Sequence, residues 1–229
     1  CDAWLDEQFQ MAAQAALGVS DRILWSGSAG LAECLPQLLV LNGEPKISKP
    51  ILVVAGSVSA VTHRQIKLLL DSGFELIEVQ AADCFSEHEN FLRPYIRAVL
   101  AIMAQGKNVV LASGYQSEAV EQTKKVGAKL GMSSVQISEA VAQILGLIGA
   151  AILRQQEVAS VILTGGDTAA AVCKELGVVG IRVLEELAPA IPLGEMKTAE
   201  GKTLRVITKA GAFGSPDVLL KIAKRLRKR

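Results

Sequence analysis

The sequence predicts an α/β fold, in which a mostly parallel sheet is flanked by helices. Half of the 229 residues are hydrophobic, only 4% are aromatic, and 20 are glycine. The segments 51–55 (ILVVA) and 161–164 (VILT) are apolar almost throughout, which indicates strands that are buried on both faces. Each segment is followed by a glycine-containing turn and then by a helical pattern, and this alternation is typical of parallel sheets.

Helices and strands follow one another along the chain. Apolar residues recur at helical spacing in the predicted helices, as Val61, Ile66 and Leu69 do, and form unbroken runs in the predicted strands. The predicted helices lie at 5–17, 31–39, within 57–73, and at 90–104, 118–130, 135–154, 169–176 and 216–228. The predicted strands lie at 22–25, 51–56, 74–79, 108–112, 160–164, 180–187 and 203–209.

A connector near residues 42–50 divides the chain. Gly43, Pro45 and Pro50 interrupt the pattern, and the apolar periodicity restarts after them. We therefore predict a first domain over 1–45 and a second over 46–229.

The composition and the spacing of apolar, cysteine and charged residues limit the kinds of partner that we expect for this protein. The apolar stretch 144–153 is too short to cross a bilayer, so we interpret it as part of a core helix. No signal peptide is recognisable, and the four cysteines show no CxxC spacing, which favours reduced thiols, a cytoplasmic protein and no metal centre. The last six residues, KRLRKR, hold five positive charges, but without interleaved aromatics they favour a solvated helix end over a nucleic-acid or membrane surface.

Three segments share an apolar strand, a glycine turn and a helix: 53–62 (VVAGSVSAVT), 161–170 (VILTGGDTAA) and 206–217 (VITKAGAFGSPD). Such turns meet at the carboxyl edge of a parallel sheet and form a crevice lined by backbone N–H groups. N–H groups and helix N-termini favour phosphate. An alternative is that Gly165 and Gly166 only let the chain turn and that Asp167 or Thr168 only caps a helix. Lys209 is either a charge for terminal phosphates or a solvated strand end.

Other nucleotide and hydrolase motifs are absent. GKT at 201–203 resembles the end of a P-loop, but the first glycine of that motif would fall on Met196. No GxGxxG or HExxH occurs, and no Ser, His and acid set has a recognisable spacing.

The three turns together resemble the nucleotide-binding domain of the four-carbon acid sugar kinases, a family long labelled a domain of unknown function that includes threonate, erythronate and 3-oxo-tetronate kinases. The family's loops read roughly GSxSxxTxxQ, TGGDT and K(S/A)GxFG. The matching residues here are Gly56, Ser57, Ser59, Thr62 and Gln65, then 164–168, then Lys209, Gly211, Phe213 and Gly214. The stretch 176–194 resembles the family segment that ends PGxPxG, with Ala190 in place of a glycine, and GSAGLA at 27–32 resembles the end of the family's other domain.

The resemblance implies an enzyme of carbohydrate metabolism that transfers the γ-phosphoryl group of ATP to a hydroxyl of a small sugar acid, with Mg²⁺ as cofactor. The expected nucleotide-binding residues are Gly56, Ser57, Ser59, Thr62, Thr164, Gly165, Gly166, Asp167, Thr168, Lys209, Gly211 and Gly214. The resemblance identifies no catalytic base and no site at which protein side chains alone bind a metal ion. It is compatible with a homodimer. Ala212 and Val58 differ from the residues that are common in the family at these positions. Both side chains are small, so we expect the loop backbone to bind phosphate as in the family.

The family's amino-terminal acid-sugar domain, which opens with a DDxTG-like motif, has no counterpart in this sequence except at its closing segment. We therefore expect residues 1–45 to be only its tail, left by truncation, proteolysis or a shortened gene, and we expect this chain to be inactive alone. The rival hypothesis is a nucleotide- or phosphosugar-binding module without catalysis, such as a sensor or an effector-like protein.

Overall fold

A computed structural model describes residues 5–20, 22–38, 49–56, 59–85 and 88–227. The chain divides into two compact units, Cys1–Lys46 and Ile47–Arg229.

The described residues of the first unit form two helices, α1 (Asp6–Leu17) and α2 (Ala29–Leu38). They pack closely, since a Cβ atom at Gly30 would lie 3.0 Å from the ring of Phe9. The strand predicted at 22–25 is wrong, because residues 22–28 lie in neither a helix nor a strand. Within the described part of this unit no other strand could pair with it, and a lone strand leaves its backbone groups unpaired.

The second unit alternates strands and helices. Its strands are β1 (Ile51–Ala55), β2 (Glu75–Glu78), β3 (Val109–Ala112), β4 (Ser160–Thr164), β5 (Ile181–Ala188), β6 (Ile191–Lys197) and β7 (Thr203–Lys209). Its helices are α3 (Ala60–Asp71), α4 (His88–Met103), α5 (Ser117–Lys129), α6 (Ser134–Gln155), α7 (Gly166–Glu175) and α8 (Val218–Arg227), and a 3₁₀ turn covers Ala81–Cys84.

The described strands form one seven-stranded sheet in the order β2-β3-β1-β4-β7-β6-β5. The first five are parallel, and β6 and β5 extend the sheet in antiparallel pairing. Helices α4, α6 and α7 pack on one face, and α3 and α8 on the other. All residues of β1, β3 and β4 are buried, as their apolar runs predict. The predicted α/β fold is confirmed.

Helix α6 is a core helix, as predicted. Its 22 residues are long and apolar enough to cross a membrane by composition, yet half of its apolar window is buried inside the protein. Leu145, Ile148 and Ile152 are fully buried against the sheet. The polar first turn is closed by a capping box, in which Ser133 and Gln136 each bond the other's backbone N–H.

Strand β6 was not predicted from the sequence. It contains Pro192 and Gly194, which disfavour strands. The glycine is required by the pairing with β5, because a Cβ atom there would lie 2.9 Å from the carbonyl oxygen of Arg182. The preceding turn contains Ala190 at a φ of 58°, and within the described ranges it is the one non-glycine residue with positive φ. This conformation explains why a glycine suits the position.

Candidate functional site

A cleft of about 490 Å³ lies at the carboxyl edge of the parallel strands. Residues that follow all five strands line it: Ala81 after β2, Ser113 and Gly114 after β3, Gly56 after β1, Gly165 after β4 and Gly211 after β7. Its volume is in the range of small-molecule sites. The predicted convergence of glycine turns at one edge is therefore present.

The turn after β4 presents free backbone donors. Gly165 has a φ of 102°, and its N–H donates to the carbonyl of Lys209 at 2.9 Å. Helix α7 begins directly afterwards, and the N–H groups of Gly166, Asp167 and Thr168 have no acceptor among the described residues. With the positive end of the helix dipole, these groups form a site suited to an anion.

The capping alternative for this turn is wrong. The N-cap residue is Gly165, which has no side chain, whereas Asp167 lies exposed in the first turn of α7 and Thr168 is buried. A carboxylate in the first turn still interacts favourably with the helix dipole.

The β1 and β4 turns touch through a glycine. A Cβ atom at Gly56 would collide with Oγ1 of Thr168 and lie 3.2 Å from Leu145. Helix α7 is also held close to α6, because a Cβ at Gly146 would lie 2.8 Å from the Cβ of Ala171. Helix α7 can approach the turn after β1 because Gly56 lacks a side chain, and it can approach α6 because Gly146 lacks one.

The loop after β7 is held from beneath by buried polar side chains. Lys209 is 3% exposed, and its ammonium donates to the carbonyls of Ala210 (2.8 Å), Gly211 (3.0 Å) and Phe213 (3.1 Å). Burial lowers the pKa of this ammonium from 10.5 to about 8. The interpretation of Lys209 as a solvated strand end is therefore wrong, and in this structure its charge faces the loop.

Ser59 and Thr62 also bond this loop. The carbonyl of Gly211 accepts from Oγ of Ser59 at 2.9 Å and from Oγ1 of Thr62 at 2.5 Å. Ser59 caps α3 as well, by accepting from the N–H of Thr62 at 3.2 Å. Thr62 is fully buried, whereas Ser59 reaches the cleft wall.

The opposite end of the cleft is mostly apolar. It is formed by the 3₁₀ turn and by the facing sides of α5 and α6, with Ala81, Val120, Ile137, Val141 and Ala142. Three polar residues, Thr123, Lys124 and Ser138, complete this end. These three residues were not predicted as site residues. No motif or spacing in the sequences of α5 and α6 indicates that these residues face the sheet edge.

The turn after β3 was also missed, although a strand followed by Ser113 and Gly114 repeats the strand-and-glycine signal of the other turns. Gly114 has a φ of 70°. Its carbonyl lies 3.0 Å from Nε2 of His63, whose ring packs edge-on against Tyr115 at 5.7 Å.

The structure brings together part of the predicted set at the cleft wall. The residues that line the cleft are Gly56, Ser59, Gly165, Asp167, Thr168 and Gly211. The predicted residues that do not line it are Thr62, Thr164, Gly166, Lys209 and Gly214. Ser57 lies outside the described residues, and the part of the chain that is described holds no group of three His, Cys, Asp or Glu side chains suited to a metal.

Comparison with known proteins agrees with this architecture. Residues 52–219 match the family described as nucleotide-binding C-terminal domain. This chain belongs to the four-carbon acid sugar kinase family. The match covers the three glycine turns and the whole sheet except one residue of β1.

Curated members of the acid sugar kinase family resemble the chain along most of its length. The D-threonate kinase of Salmonella typhimurium is 35% identical over 220 residues, which are 95% of this chain and 52% of that protein. The 3-oxo-tetronate kinase of Cupriavidus necator is 29% identical over 204 residues, which are 85% of this chain and 44% of that protein. The chain thus spans about half the length of the curated relatives it matches.

Solved structures of acid sugar kinase relatives share the fold. A DUF1537 protein of Bordetella bronchiseptica, crystallised with citrate as a domain-swapped dimer, has a TM-score of 0.62 at 27% identity and covers 100% of this chain and 53% of its own. A DUF1537 protein of Haemophilus influenzae has a TM-score of 0.61 at 23% identity and covers 98% of this chain and 52% of its own.

Proposed function

We propose that this chain forms the ATP-binding part of a kinase that phosphorylates a four-carbon sugar acid. The observation that carries the proposal is the division of one cleft into an end rich in free N–H groups and an apolar end. A nucleoside triphosphate has the same division, with charged phosphates at one end and a flat base at the other.

The phosphates are proposed to lie over the turns after β1, β4 and β7. The free N–H groups at the start of α7 supply donors and the helix dipole there. Asp167 supplies a carboxylate at the same end. Mg²⁺ is usually held by one or two carboxylates together with substrate phosphates, so Asp167 fits a metal that arrives with the nucleotide. When bound, that ion would neutralise phosphate charge.

The base is proposed to lie between α5 and α6. The cleft runs from the end of β2 to the end of β7, which are four strand spacings apart, or about 19 Å. A triphosphate over β1, β4 and β7 leaves the α5–α6 end for an apolar group. A phosphorylated four-carbon acid is short and polar throughout, so the rival phosphosugar-binding module leaves this end without a ligand.

In the proposed reaction, a hydroxyl oxygen of the sugar acid bonds the γ-phosphorus of ATP while the bond from that phosphorus to the β–γ bridging oxygen breaks, and ADP leaves. The contribution of this chain is to position the phosphates and to donate hydrogen bonds to them. Because the relatives are about twice as long, the sugar acid and the group that takes its hydroxyl proton are proposed to belong to the region this chain does not match.

Calorimetric titration of the chain with MgATP, AMP, tripolyphosphate and a phosphorylated four-carbon sugar acid tests the proposal. We expect MgATP to bind about tenfold more tightly than AMP and than the sugar phosphate. Tighter binding of the sugar phosphate would favour the rival module. Phosphorylation of threonate by this chain alone would contradict the proposal that the sugar acid binds in the region that this chain does not match.

A matched pair of variants tests the base end. Ser138→Trp places a large side chain in the cleft from an exposed position on α6, whereas Glu139→Trp adds the same side chain at the neighbouring exposed position, which does not line it. Ser138→Trp should reduce MgATP affinity to that of tripolyphosphate, and Glu139→Trp should leave it unchanged. Equal affinities for MgATP in both variants would place the base elsewhere.

A homodimer is also proposed. The edge strand β5 exposes apolar residues, with Val183 63% exposed and Leu184 44% exposed. Exposed edges of this kind favour pairing with a second chain. Light scattering should give twice the monomer mass, and Val183→Lys should reduce it. A monomer at all concentrations would contradict this proposal.

A further inference from the structure

The loop over residues 210–215 is bonded from beneath by a further side chain, that of Gln65, the last residue of the GSxSxxTxxQ match. Gln65, fully buried on α3, donates from Nε2 to the carbonyls of Phe213 and Ser215, at 3.0 Å each. With Ser59, Thr62 and Lys209 it forms what we call the polar layer. The four side chains between them bond the carbonyls of Ala210, Gly211, Phe213 and Ser215.

The orientation of these carbonyls fixes the orientation of the loop's N–H groups. In a trans peptide unit the C=O and the following N–H point in opposite directions, and the described residues contain no cis peptide bond. The carbonyls of Ala210 and Gly211 point into the polar layer, so the N–H groups of Gly211 and Ala212 point away from it. Both residues line the cleft, and among the described residues neither N–H has an acceptor.

The amide of Gln65 has one orientation that suits its surroundings. Its Nε2 faces carbonyl oxygens, which an amide oxygen in the same place would repel. Its Oε1 is buried and has no partner among the described residues. A buried polar atom without a partner is unfavourable, so the residue is poorly explained as core packing alone.

We propose that Ser59, Thr62, Gln65 and Lys209 are positioning residues, which hold the carbonyls of loop 210–215 on the α3 side so that the N–H groups of Gly211 and Ala212 face the phosphates of a bound nucleotide. The phosphate part of this inference rests on the proposed function. The polar layer contacts the loop, and it acts by keeping the donors in place before the ligand arrives.

Two conservative variants remove one member each. Gln65→Leu replaces the amide by an apolar group of similar size, and Thr62→Val replaces the hydroxyl bonded to Gly211 by a methyl group. Leu69→Ala is the control, because Leu69 is a fully buried residue of the same helix with no side-chain hydrogen bond to the loop. It reports the effect of a less stable α3.

The first readout is amide hydrogen exchange in the protein without nucleotide, with all variants compared under conditions where circular dichroism shows them folded. Exchange of the Phe213 amide, whose N–H donates to the carbonyl of Ala210 within the loop at 3.1 Å, should rise about tenfold in Gln65→Leu and Thr62→Val relative to the rest of the sheet. Leu69→Ala should show no such selective rise. Wild-type exchange of the Phe213 amide in both polar-layer variants would overturn the proposal.

The second readout is MgATP affinity, which should fall about tenfold in Gln65→Leu and in Thr62→Val and by less than twofold in Leu69→Ala. A faster-exchanging loop with unchanged affinity would overturn the link between positioning and binding. If wild-type protein binds no nucleotide, the proposed function fails, and the exchange readout still decides whether the polar layer holds the loop.

Discussion

Two turns line the same wall of the cleft, and they are stabilised in different ways. The turn after β4 is shaped by its own backbone, through the positive φ of Gly165 and the start of α7 directly behind it. The loop after β7 is held by side chains from another element, since Thr62 bonds Gly211 from 149 residues earlier in the chain. The first turn is fixed by its own backbone and by one backbone bond, from the N–H of Gly165 to the carbonyl of Lys209, whereas the second depends on the packing of α3 beneath the sheet edge.

This difference predicts how each turn responds to change. A substitution in the turn after β4 should act through the space that the new atoms occupy. A substitution beneath the loop after β7 should act at a distance from the ligand, through the charge and hydrogen bonds of the polar layer.

The pH dependence of stability tests the polar layer and has the largest expected effect. The pKa of Lys209 is about 8 in the folded protein and near its usual 10.5 in the unfolded chain. Between these values the unfolded chain binds more protons, so the free energy of unfolding should rise with pH through this window. The contribution of Lys209 to that rise is at most about 3 kcal/mol.

The measurement is urea unfolding from pH 7.5 to 10.5 for wild type and Lys209→Met. Methionine keeps most of the apolar stem and cannot titrate, so the rise due to Lys209 should be missing in the variant. Parallel stability curves would show that this ammonium is not desolvated in the fold.

Gly56→Val tests the turn after β4, and it has the next largest expected effect on the free energy of unfolding. Its side chain would collide with Thr168 and push α7 away from β1, at a cost of about 2 kcal/mol. Gly166→Ala is the matched control, because a Cβ there meets no atom within 4 Å, and it should change stability by less than about 0.5 kcal/mol. Equal losses in urea unfolding would contradict the close approach of β1 and α7.

The difference between the two turns also explains which parts of the site could be predicted from the sequence. Glycine turns behind apolar strands are local signals, and they located Gly56, Gly165 and Gly211 at one edge of the sheet. Thr62 and Lys209 belong to recognisable motifs, but a motif does not show which way a side chain points. Their burial beneath the loop follows from the packing of α3 and β7, which is a tertiary contact.

The remaining misses have physical causes as well. Strand β6 contains Pro192 and Gly194, and it forms because both β5 and β7 pair with it. The apolar end of the cleft depends on how α5 and α6 pack, where Gly127 lets the helices approach so closely that a Cβ would lie 2.5 Å from Ile137. Neither feature has a hydrophobic period of its own, and the family segment that includes Pro192 and Gly194 does not by itself indicate a strand.

Ala190→Gly gives the smallest expected effect and lies outside both turns. Glycine removes the strain of a φ of 58°, but it also makes the unfolded chain more flexible, so the net gain should be about 0.5 kcal/mol. Thermal unfolding should show a slightly raised midpoint, while MgATP affinity stays unchanged. A lower midpoint would indicate that the turn before β6 is not strained.

The central claim is that the start of α7 receives the phosphates of a nucleotide, and a charge placed there tests it most directly. Gly166→Glu adds a carboxylate at this helix start, and Gly180→Glu adds the same charge before β5; a Cβ at either glycine meets no atom within 4 Å, so both variants should fold. Calorimetric titration with MgATP should show an affinity at least about tenfold lower for Gly166→Glu and unchanged for Gly180→Glu. Equal MgATP affinities in the two variants would contradict the assignment of this turn to the phosphates.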